Sequence, residues 1–416
     1  MAITQQDLGA RIRAAREACG MTQDAVATHL GVSRPTVVQI EAGNRSVSSL
    51  ELDQLAYLFG RDIREFVAVS FQQEDTLAAL FRAQPDVVSQ PVVMEKLRQC
   101  MALGRELTNL EELVGLGRDP AVATYATQAP RVRWEAIQQG QRLAEEERRR
   151  LGLGSAPLPD LAVLLEMQGV RTGLVDLPED VSGLTLSDRK VGLFVVANRM
   201  HHHLRRRFSF AHEYSHVIVD RERFGLVSRA SERDDLVEVR ANAFAANFLM
   251  PEDGVRHYVA GLGKGRPSRA HAEVFDEAGS LNVEGRTRPG SQAVQLYDVV
   301  QLAHHFGVSR LSALFRLRNL RLVNGDEFSH LKALDELGKG RELAELLGLP
   351  EPDHAEVRNE FRHRFLGLAL EAYRRQEISR GKLKELATMV ALPATDLEKL
   401  VEDVGLDDDH SSINAP

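Results

Sequence analysis

Two histidines inside an apolar segment constrain this chain more than any other feature. Residues 208–219 read FSFAHEYSHVIV, so His212 and His216 lie four positions apart among aromatic and β-branched residues. On an α-helix, residues with this spacing share one face, and both imidazoles can then reach a single metal ion. Because these imidazoles and the carboxylate of Glu213 are costly to bury without partners, we predict a buried helix that carries a Zn²⁺ site.

Glu213 follows the first candidate ligand directly, and it predicts a hydrolytic site rather than a structural one. In an H-E-x-x-H helix, this carboxylate serves as general base toward a water molecule at the zinc. A catalytic zinc also needs a third protein ligand. One common pattern for that ligand fails here, because Val219 stands where glycine is required and Glu222 stands where histidine is required.

A segment further along the chain supplies a better third ligand. Residues 235–251 read DLVEVRANAFAANFLMP, which predicts a helix that has an acidic cap and is ended by proline. Glu238 shares a stripe with small residues that allow close approach to the histidine helix, so we expect it to bind the metal. Asp220, Asp234 and Asp235 remain alternatives, and Asp220 is also placed to support the second histidine from one turn away.

The N-terminal residues contain a second, independent pattern. Residues 22–43 read TQDAVATHLGVSRPTVVQIEAG, in which Thr22 and Ser33 can each cap a short helix and Gly31 permits the tight turn between them. A helix-turn-helix has this arrangement, and its second helix presents N-terminal side chains to base edges in the major groove of DNA. We therefore predict a DNA-binding domain of five helices at the N-terminus.

The outer face of this domain supplies the candidate DNA contacts. Those residues are Gln23, Arg34, Thr36, Gln39 and Arg45. Arginine can bond guanine and glutamine can bond adenine through two hydrogen bonds, whereas Gln23 and Arg45 are candidates for phosphate contacts. Residues 1–66 hold seven Lys/Arg against eight Asp/Glu, so we expect modest phosphate attraction unless a homodimer aligns two such domains.

The composition is that of an ordinary globular protein with several domains. The chain has 416 residues, of which 43% are hydrophobic and 27% charged, and its net charge of −8 excludes a generic polyanion binder. Two cysteines, no apolar run of membrane-spanning length and no signal-peptide pattern predict a cytoplasmic protein, associated with the nucleoid when bound to DNA.

We expect a mainly α fold with a small β-sheet (α+β). The predicted divisions are an N-terminal helix-turn-helix domain (1–70), a helical linker or accessory region (71–130), a metal-binding domain (131–325) and a helical C-terminal region with a disordered tail (326–416).

Local patterns carry further expectations. Two stretches within residues 170–198 have strand signals, residues 261–292 are rich in Gly, Pro, Ser and Arg and predict a loop, and the charge run at 145–150 predicts a solvated helix face. Residues 296–320 form a second helix-turn-helix-like pattern within a basic stretch, since residues 256–321 hold ten Lys/Arg and five Asp/Glu. We favour a structural cap for this segment and keep a DNA-sensing element as the alternative.

The chain resembles two known families. Residues 7–66 resemble the Cro/repressor-type (XRE family) helix-turn-helix domain. Three further stretches resemble the ImmA/IrrE family of zinc metallopeptidases: FVVAN at 194–198, RFSFAHEYSH at 207–216 and EVRANAFAANFLMP at 238–251. The chain departs from that family at Tyr214-Ser215, where Leu-Gly is common, and at Arg240, where Glu is common, and neither departure involves a candidate ligand.

The second resemblance implies a zincin-like, gluzincin-type endopeptidase domain in which His212, His216 and Glu238 bind Zn²⁺. Family members typically cleave a small helix-turn-helix repressor and thereby release stress, DNA-damage or mobile-element and defence genes. A strand at residues 193–197, just before the zinc helix, is expected to border the cleft and to pair through an exposed edge with an extended peptide.

Three hypotheses follow. In the first, a homodimeric regulator binds double-stranded operator DNA and cleaves a repressor or antitoxin-like partner. In the second, a transcription factor or antitoxin senses a ligand or metal through its peptidase-like domain without cutting. The third is a protein-interaction module with a structural zinc. Glu213 favours the first hypothesis, because a structural zinc has no use for a base.

Overall fold

A computed structural model describes most of the chain. The described residues are 3–69, 71, 91–116, 122–188, 190–221, 225–229, 234–264, 269–276, 279–286, 292–349 and 360–404. The predicted disordered tail lies outside these residues.

The described residues form 18 helices, a four-stranded sheet and a hairpin. The helices are α1 Gln5–Ala18, α2 Gln23–Leu30, α3 Arg34–Glu41, α4 Ser49–Leu58, α5 Ile63–Val67, α6 Pro91–Leu113, α7 Arg133–Arg150, α8 Leu161–Met167, α9 His203–Val219, α10 Leu236–Leu249, α11 Glu252–Gly261, α12 Leu296–Phe306, α13 Arg310–Asn319, α14 Gly325–Glu336, α15 Lys339–Leu346, α16 Glu360–Arg374, α17 Arg380–Met389 and α18 Ala394–Asp403. The strands are β1 Arg171–Val175, β2 Val181–Asp188, β3 Gly192–Asn198, β4 Gly225–Arg229, β5 Arg269–Asp276 and β6 Gly279–Arg286. The predicted fold class, mainly α with a small β-sheet, is confirmed.

The four-stranded sheet has the order β1-β3-β2-β4. Strand β3 pairs in parallel with β1 and antiparallel with β2, and β2 pairs antiparallel with β4. The prediction that residues 193–197 present an exposed edge is therefore wrong. Val195 faces one hydrophobic core while Phe194 and Val196 face the other, and an apolar run buried on both faces is typical of a central strand.

The two faces of the sheet bury separate cores. One core contains residues of α7 to α14. The other contains α6 together with α16 to α18. Glu111 of α6 joins these distant segments, because it accepts hydrogen bonds from Arg171 of β1 at 2.9 Å and from Arg364 of α16 at 2.7 Å, the latter 253 residues away. Residues of the predicted accessory and C-terminal regions thus share one layer over the sheet.

Helix α7 packs closely against α10. At Gly140 a Cβ atom would lie 2.4 Å from the backbone oxygen of Arg240, so only glycine allows this approach. The prediction of a fully solvated charge run in α7 is wrong, since Glu147 and Arg148 are buried. Glu147 accepts hydrogen bonds from the hydroxyls of Tyr125 and Tyr214, which compensates for its desolvation.

The N-terminal residues form the predicted five helices. Thr22 caps α2 by accepting a hydrogen bond from the Ala25 amide, and Gly31 ends that helix with a left-handed φ of 66°. Ser33 occupies the N-cap position of α3, without a side-chain hydrogen bond to the helix. Val37 is fully packed in the core of this domain.

This domain contacts the rest of the protein through α4, α5 and the residues between them. Tyr57 donates a hydrogen bond to Glu95 of α6 at 2.8 Å. Glu65 forms an ion pair at 2.7 Å with Lys190, which lies in the turn between β2 and β3. These contacts leave the outer face of α3 exposed.

The loop predicted at residues 261–292 is also wrong, because β5 and β6 form an antiparallel hairpin there. Alternation of small or apolar residues with polar residues within 269–276 suits a strand, and the local richness in Gly, Pro and Ser concealed it. Among the described residues, no helix is both long and apolar enough to cross a membrane.

Residues 296–320 do form two helices joined by a turn at Gly307, whose φ is 62°. Apolar side chains from both helices belong to the core around α9 and α10. Arg310, at the start of the second helix, pairs with Asp335 of α14 at 2.5 Å. Phe315 of the same helix is exposed, and its side chain is apolar. This placement favours the structural cap over the DNA-sensing alternative.

Candidate metal centre

Helix α9 and helix α10 meet at the candidate metal centre. Helix α9 carries His212 and His216 on the side that faces α10 and Glu213 on the side that faces β2, and all three are buried. Glu238 lies in the first turn of α10 and is also buried. The structure therefore brings the three sequence-predicted ligands together in space.

The ligand-type atoms converge on one point. The Nε2 atoms of His212 and His216 lie 3.3 Å apart. Glu238 places Oε2 3.1 Å from the first Nε2 and Oε1 3.3 Å from the second. A tetrahedral ion with ligand bonds of about 2.0–2.1 Å separates neighbouring ligand atoms by about 3.3 Å. The three side chains thus have a spacing that suits ligands of one tetrahedral metal ion.

Both histidines are oriented through their other ring nitrogen. His212 Nδ1 lies 3.1 Å from Asn242 Oδ1, and His216 Nδ1 lies 3.0 Å from Asp220 Oδ2. Arg240 in turn donates to both oxygens of Asp220 at 2.7 Å. Such contacts fix the tautomer and leave Nε2 directed at the metal position. Asp220 is therefore placed to support His216, one of the two roles its position allowed.

The other alternative ligands lie elsewhere. Asp235 caps α10 by accepting a hydrogen bond from the Val237 amide at 2.7 Å. Asp234 pairs with Arg133 at 2.9 Å on the surface. Among the described residues, His212, His216 and Glu238 are the one group of His, Cys, Asp or Glu side chains close enough to hold a metal ion together.

Glu213 is fully buried beside this group. Its Oε2 accepts a hydrogen bond of 2.7 Å from the Thr185 hydroxyl, whereas Oε1 has no hydrogen-bond partner. Burial raises the pKa of this carboxyl, and the two neighbouring imidazoles and the hydroxyls of Thr185 and Ser228 oppose that rise only in part. A buried carboxylate oxygen without a donor is costly, and a water molecule at the metal would supply the missing donor. The residues present therefore fit a catalytic metal.

The charge around the centre also fits a cation. Burial disfavours the imidazolium form of His216, but hydrogen bonds and charge from Asp220 and Glu238 raise its pKa to about 10. Burial likewise raises the pKa of Glu238, yet its hydrogen bonds to both imidazoles outweigh this and keep the pKa well below the usual value. The negative charge of Asp220 and Glu238 that favours a proton on His216 would equally favour a divalent cation in place of that proton.

Three residues near the centre were not assigned contacts from the sequence. Thr185 of β2 binds Glu213, and Ser228 of β4 places Oγ 3.2 Å from His212 Nε2. Asn242 binds His212, and its position one turn after Glu238 on the same stripe was a signal for this contact. Thr185 and Ser228 reach the centre through strand pairing between distant segments, which no local sequence pattern predicts.

The candidate base contacts lie on the surface of α3. The Arg34 side chain is 61% exposed. Gln39 is exposed and accepts a hydrogen bond from Asn44 at 3.0 Å. Thr36 is half-buried and its hydroxyl lies 2.9 Å from that of Ser33. Two of the three predicted base-contacting side chains are thus exposed on the surface of α3.

The candidate phosphate contacts are more engaged within the domain. Gln23 donates a hydrogen bond to Glu41 at 2.9 Å, and Glu41 also pairs with Arg16 at 2.6 Å. Arg45 pairs with Glu51 at 2.8 Å and is 39% exposed. Both side chains lie beside the recognition helix, where a phosphate could compete for their donors.

Comparisons with known protein families match both halves of this description. A family model described as a helix-turn-helix domain matches residues 7–67. A peptidase family described as the IrrE N-terminal-like domain matches residues 167–318, which span the sheet, both histidines and Glu238. A comparison with curated proteins finds no match for this chain.

We predict that His216→Ala abolishes stoichiometric metal binding, because the remaining two ligands cannot close the site. Metal content per chain, measured by inductively coupled plasma mass spectrometry after dialysis against zinc, should fall from about one to near zero. His304→Ala is the matched control, since His304 is exposed on α12. A full equivalent of metal in the His216→Ala protein would place the site elsewhere.

Proposed function

We propose that this chain, which joins an XRE-type helix-turn-helix domain to an IrrE-like peptidase domain, is a DNA-binding regulator that cleaves a protein partner with a zinc-dependent endopeptidase site. The convergence of His212, His216 and Glu238 beside the unpartnered Oε1 of Glu213 carries this proposal. The proposal includes domain boundaries near residues 70, 130 and 325.

Each side chain at the centre has a distinct role in this proposal. His212, His216 and Glu238 hold the metal. A zinc ion at this position would polarise the scissile carbonyl and lower the pKa of an attacking water. Glu213 accepts the proton of that water through Oε1 and then delivers it to the leaving amine, as a general base becomes a general acid. Asp220 keeps His216 in the ligand orientation.

The substrate reaches the centre along β4 rather than β3. Strand β4 lies at one end of the sheet, and its outer edge has no strand partner among the described residues. Ser228 of β4 lies 3.2 Å from His212 Nε2, so this edge borders the centre. An extended segment of the partner can pair with it through main-chain hydrogen bonds. Such pairing tolerates many side chains, so selectivity comes from the folded partner.

The partner in this proposal is a small helix-turn-helix repressor or an antitoxin-like protein. Its cleavage would release stress, DNA-damage or mobile-element and defence genes. The regulator acts as a homodimer on an operator, since two copies of α3 double the phosphate contacts of a domain that is not itself basic. Arg34, Thr36 and Gln39 read bases, and Gln23 and Arg45 bind phosphates.

A non-cleaving sensor or antitoxin is the alternative function. It requires the metal triad but not Glu213. The presence of a fully buried carboxylate with one oxygen left without a donor favours cleavage, because this arrangement costs stability and serves only a reaction at the metal.

We expect Glu213→Gln to retain the metal and to lose hydrolysis, because an amide fits the space but cannot accept a proton. The cleavage rate should fall by about 10²–10⁴-fold. The assay incubates purified protein with small repressors encoded near its gene and follows fragments by mass spectrometry. Glu336→Gln, at an exposed position of α14, is the control. Wild-type cleavage by the Glu213→Gln protein would remove Glu213 from the mechanism, and no cleavage of any candidate by the wild type would favour the sensor.

The DNA half of the proposal has its own test. The double variant Arg34→Ala/Gln39→Ala should lose sequence preference while keeping its metal, because each bidentate base contact contributes about 1–3 kcal/mol of discrimination. Binding is measured by mobility shift on a site that the wild type selects from a random DNA library, and half-sites about 34 Å apart are expected. Arg374→Ala, on the surface of α16, is the control for charge removal. Unchanged preference in the double variant would show that α3 reads no bases.

A further inference from the structure

We infer that Thr185 is a positioning residue that holds the Glu213 carboxylate so that Oε1 alone is free to take a proton. This inference deepens the proposed peptidase function and rests on it. It assigns to β2 a task that neither the histidine helix nor the metal ligands perform.

Strand β2 directs Thr185 at the centre by simple alternation. Successive side chains of a strand point to opposite faces. Leu184 and Leu186 belong to the core on the far side of the sheet, so Gly183 and Thr185 face α9. Thr185 is buried, and its hydroxyl lies 2.7 Å from Glu213 Oε2 and 3.2 Å from the Glu213 carbonyl oxygen. The hydroxyl has one proton to donate, and the shorter contact to the charged acceptor takes it.

Gly183, two residues before Thr185 on β2, leaves space for Oε1 of Glu213. A Cβ atom at Gly183 would lie 2.8 Å from Oε1 and 3.0 Å from Cγ of Glu213. Glycine therefore leaves room for the carboxylate to lie flat against β2. Thr185 fixes one oxygen and Gly183 makes space for the other, which defines the orientation of the carboxylate plane.

A purely structural role would not require this hydroxyl. Threonine and valine have nearly the same shape, and both suit a strand, so valine would fill the buried position equally well. Valine would, however, remove the hydroxyl that donates to Glu213 Oε2. The carboxylate could then rotate, and a misplaced base loses efficiency because proton transfer depends on its geometry.

The sheet offers a matched control for this pair. Thr172 of β1 is also buried, and its hydroxyl lies 3.2 Å from a carboxylate oxygen of Glu166. Glu166 is not part of the metal centre. Thr172→Val therefore removes the same kind of contact from the same sheet without touching the base, and it measures the general cost of such a change.

Binding of acetohydroxamic acid reports on the position of the Glu213 carboxylate without a substrate. It binds zinc as the hydroxamate anion, and its N–OH proton passes to a carboxylate beside the metal. Its affinity for the zinc-loaded full-length protein, measured by isothermal titration calorimetry, should fall about tenfold in Thr185→Val, the loss expected for one hydrogen bond to a charged group. Thr185→Ser should keep affinity within about threefold of the wild type, and Thr172→Val should not change it.

Metal content is measured in parallel and should stay near one per chain in all variants. Wild-type affinity in Thr185→Val, an equal loss in Thr172→Val, or no recovery in Thr185→Ser would each overturn the inference. Failure of the wild type to bind acetohydroxamic acid would do so too, because Oε1 would then not accept the proton. If Thr185→Val does not fold, Thr185→Ala takes its place with the same expected result.

A double-variant cycle separates this inference from the proposed function. In a Glu213→Gln background, Thr185→Val should cause no further loss of affinity, since the hydroxyl acts through that carboxylate. A further tenfold loss would contradict the inference. Absence of protein cleavage together with the predicted affinities would overturn the peptidase proposal alone.

Discussion

The contact between α9 and α10 places four ionisable side chains in the interior of the protein. His212, Glu213, His216 and Glu238 are all buried there, where uncompensated charge is costly. The surrounding structure compensates with oriented partners rather than with solvent. Asn242 and Asp220 hold the imidazoles, and a metal ion at their common focus would complete the compensation.

The need for oriented partners explains why several elements pack against α9 and α10. Helix α7 approaches α10 closely enough that only glycine fits at position 140, which fixes the helix that carries Glu238. The sheet contacts α9 through Thr185 of β2 and Ser228 of β4. The second core, formed by α6 with α16 to α18, stabilises the other face of that sheet and also carries the DNA-binding domain through contacts such as Tyr57 with Glu95.

Local periodicity predicted the parts of the site that lie on single helices. The spacing of His212 and His216, and the stripe that contains Glu238, are properties of one helix each, so their faces could be derived from the sequence. The position of β3 in the middle of the sheet could not, because an apolar run is compatible with a central or an edge strand until its neighbours are known. The burial of Glu147 was not predicted for a related reason, since its tyrosine partners lie in distant segments.

The central claim is that His212, His216 and Glu238 hold one zinc ion between α9 and α10. The most direct test is a crystal structure of the zinc-loaded protein with anomalous data collected at the zinc absorption edge. The account predicts one anomalous peak per chain, about 2.0–2.2 Å from Nε2 of both histidines and from an oxygen of Glu238. A protein that binds one zinc with the peak elsewhere, or with a different carboxylate such as Asp220 as the third ligand, would contradict it.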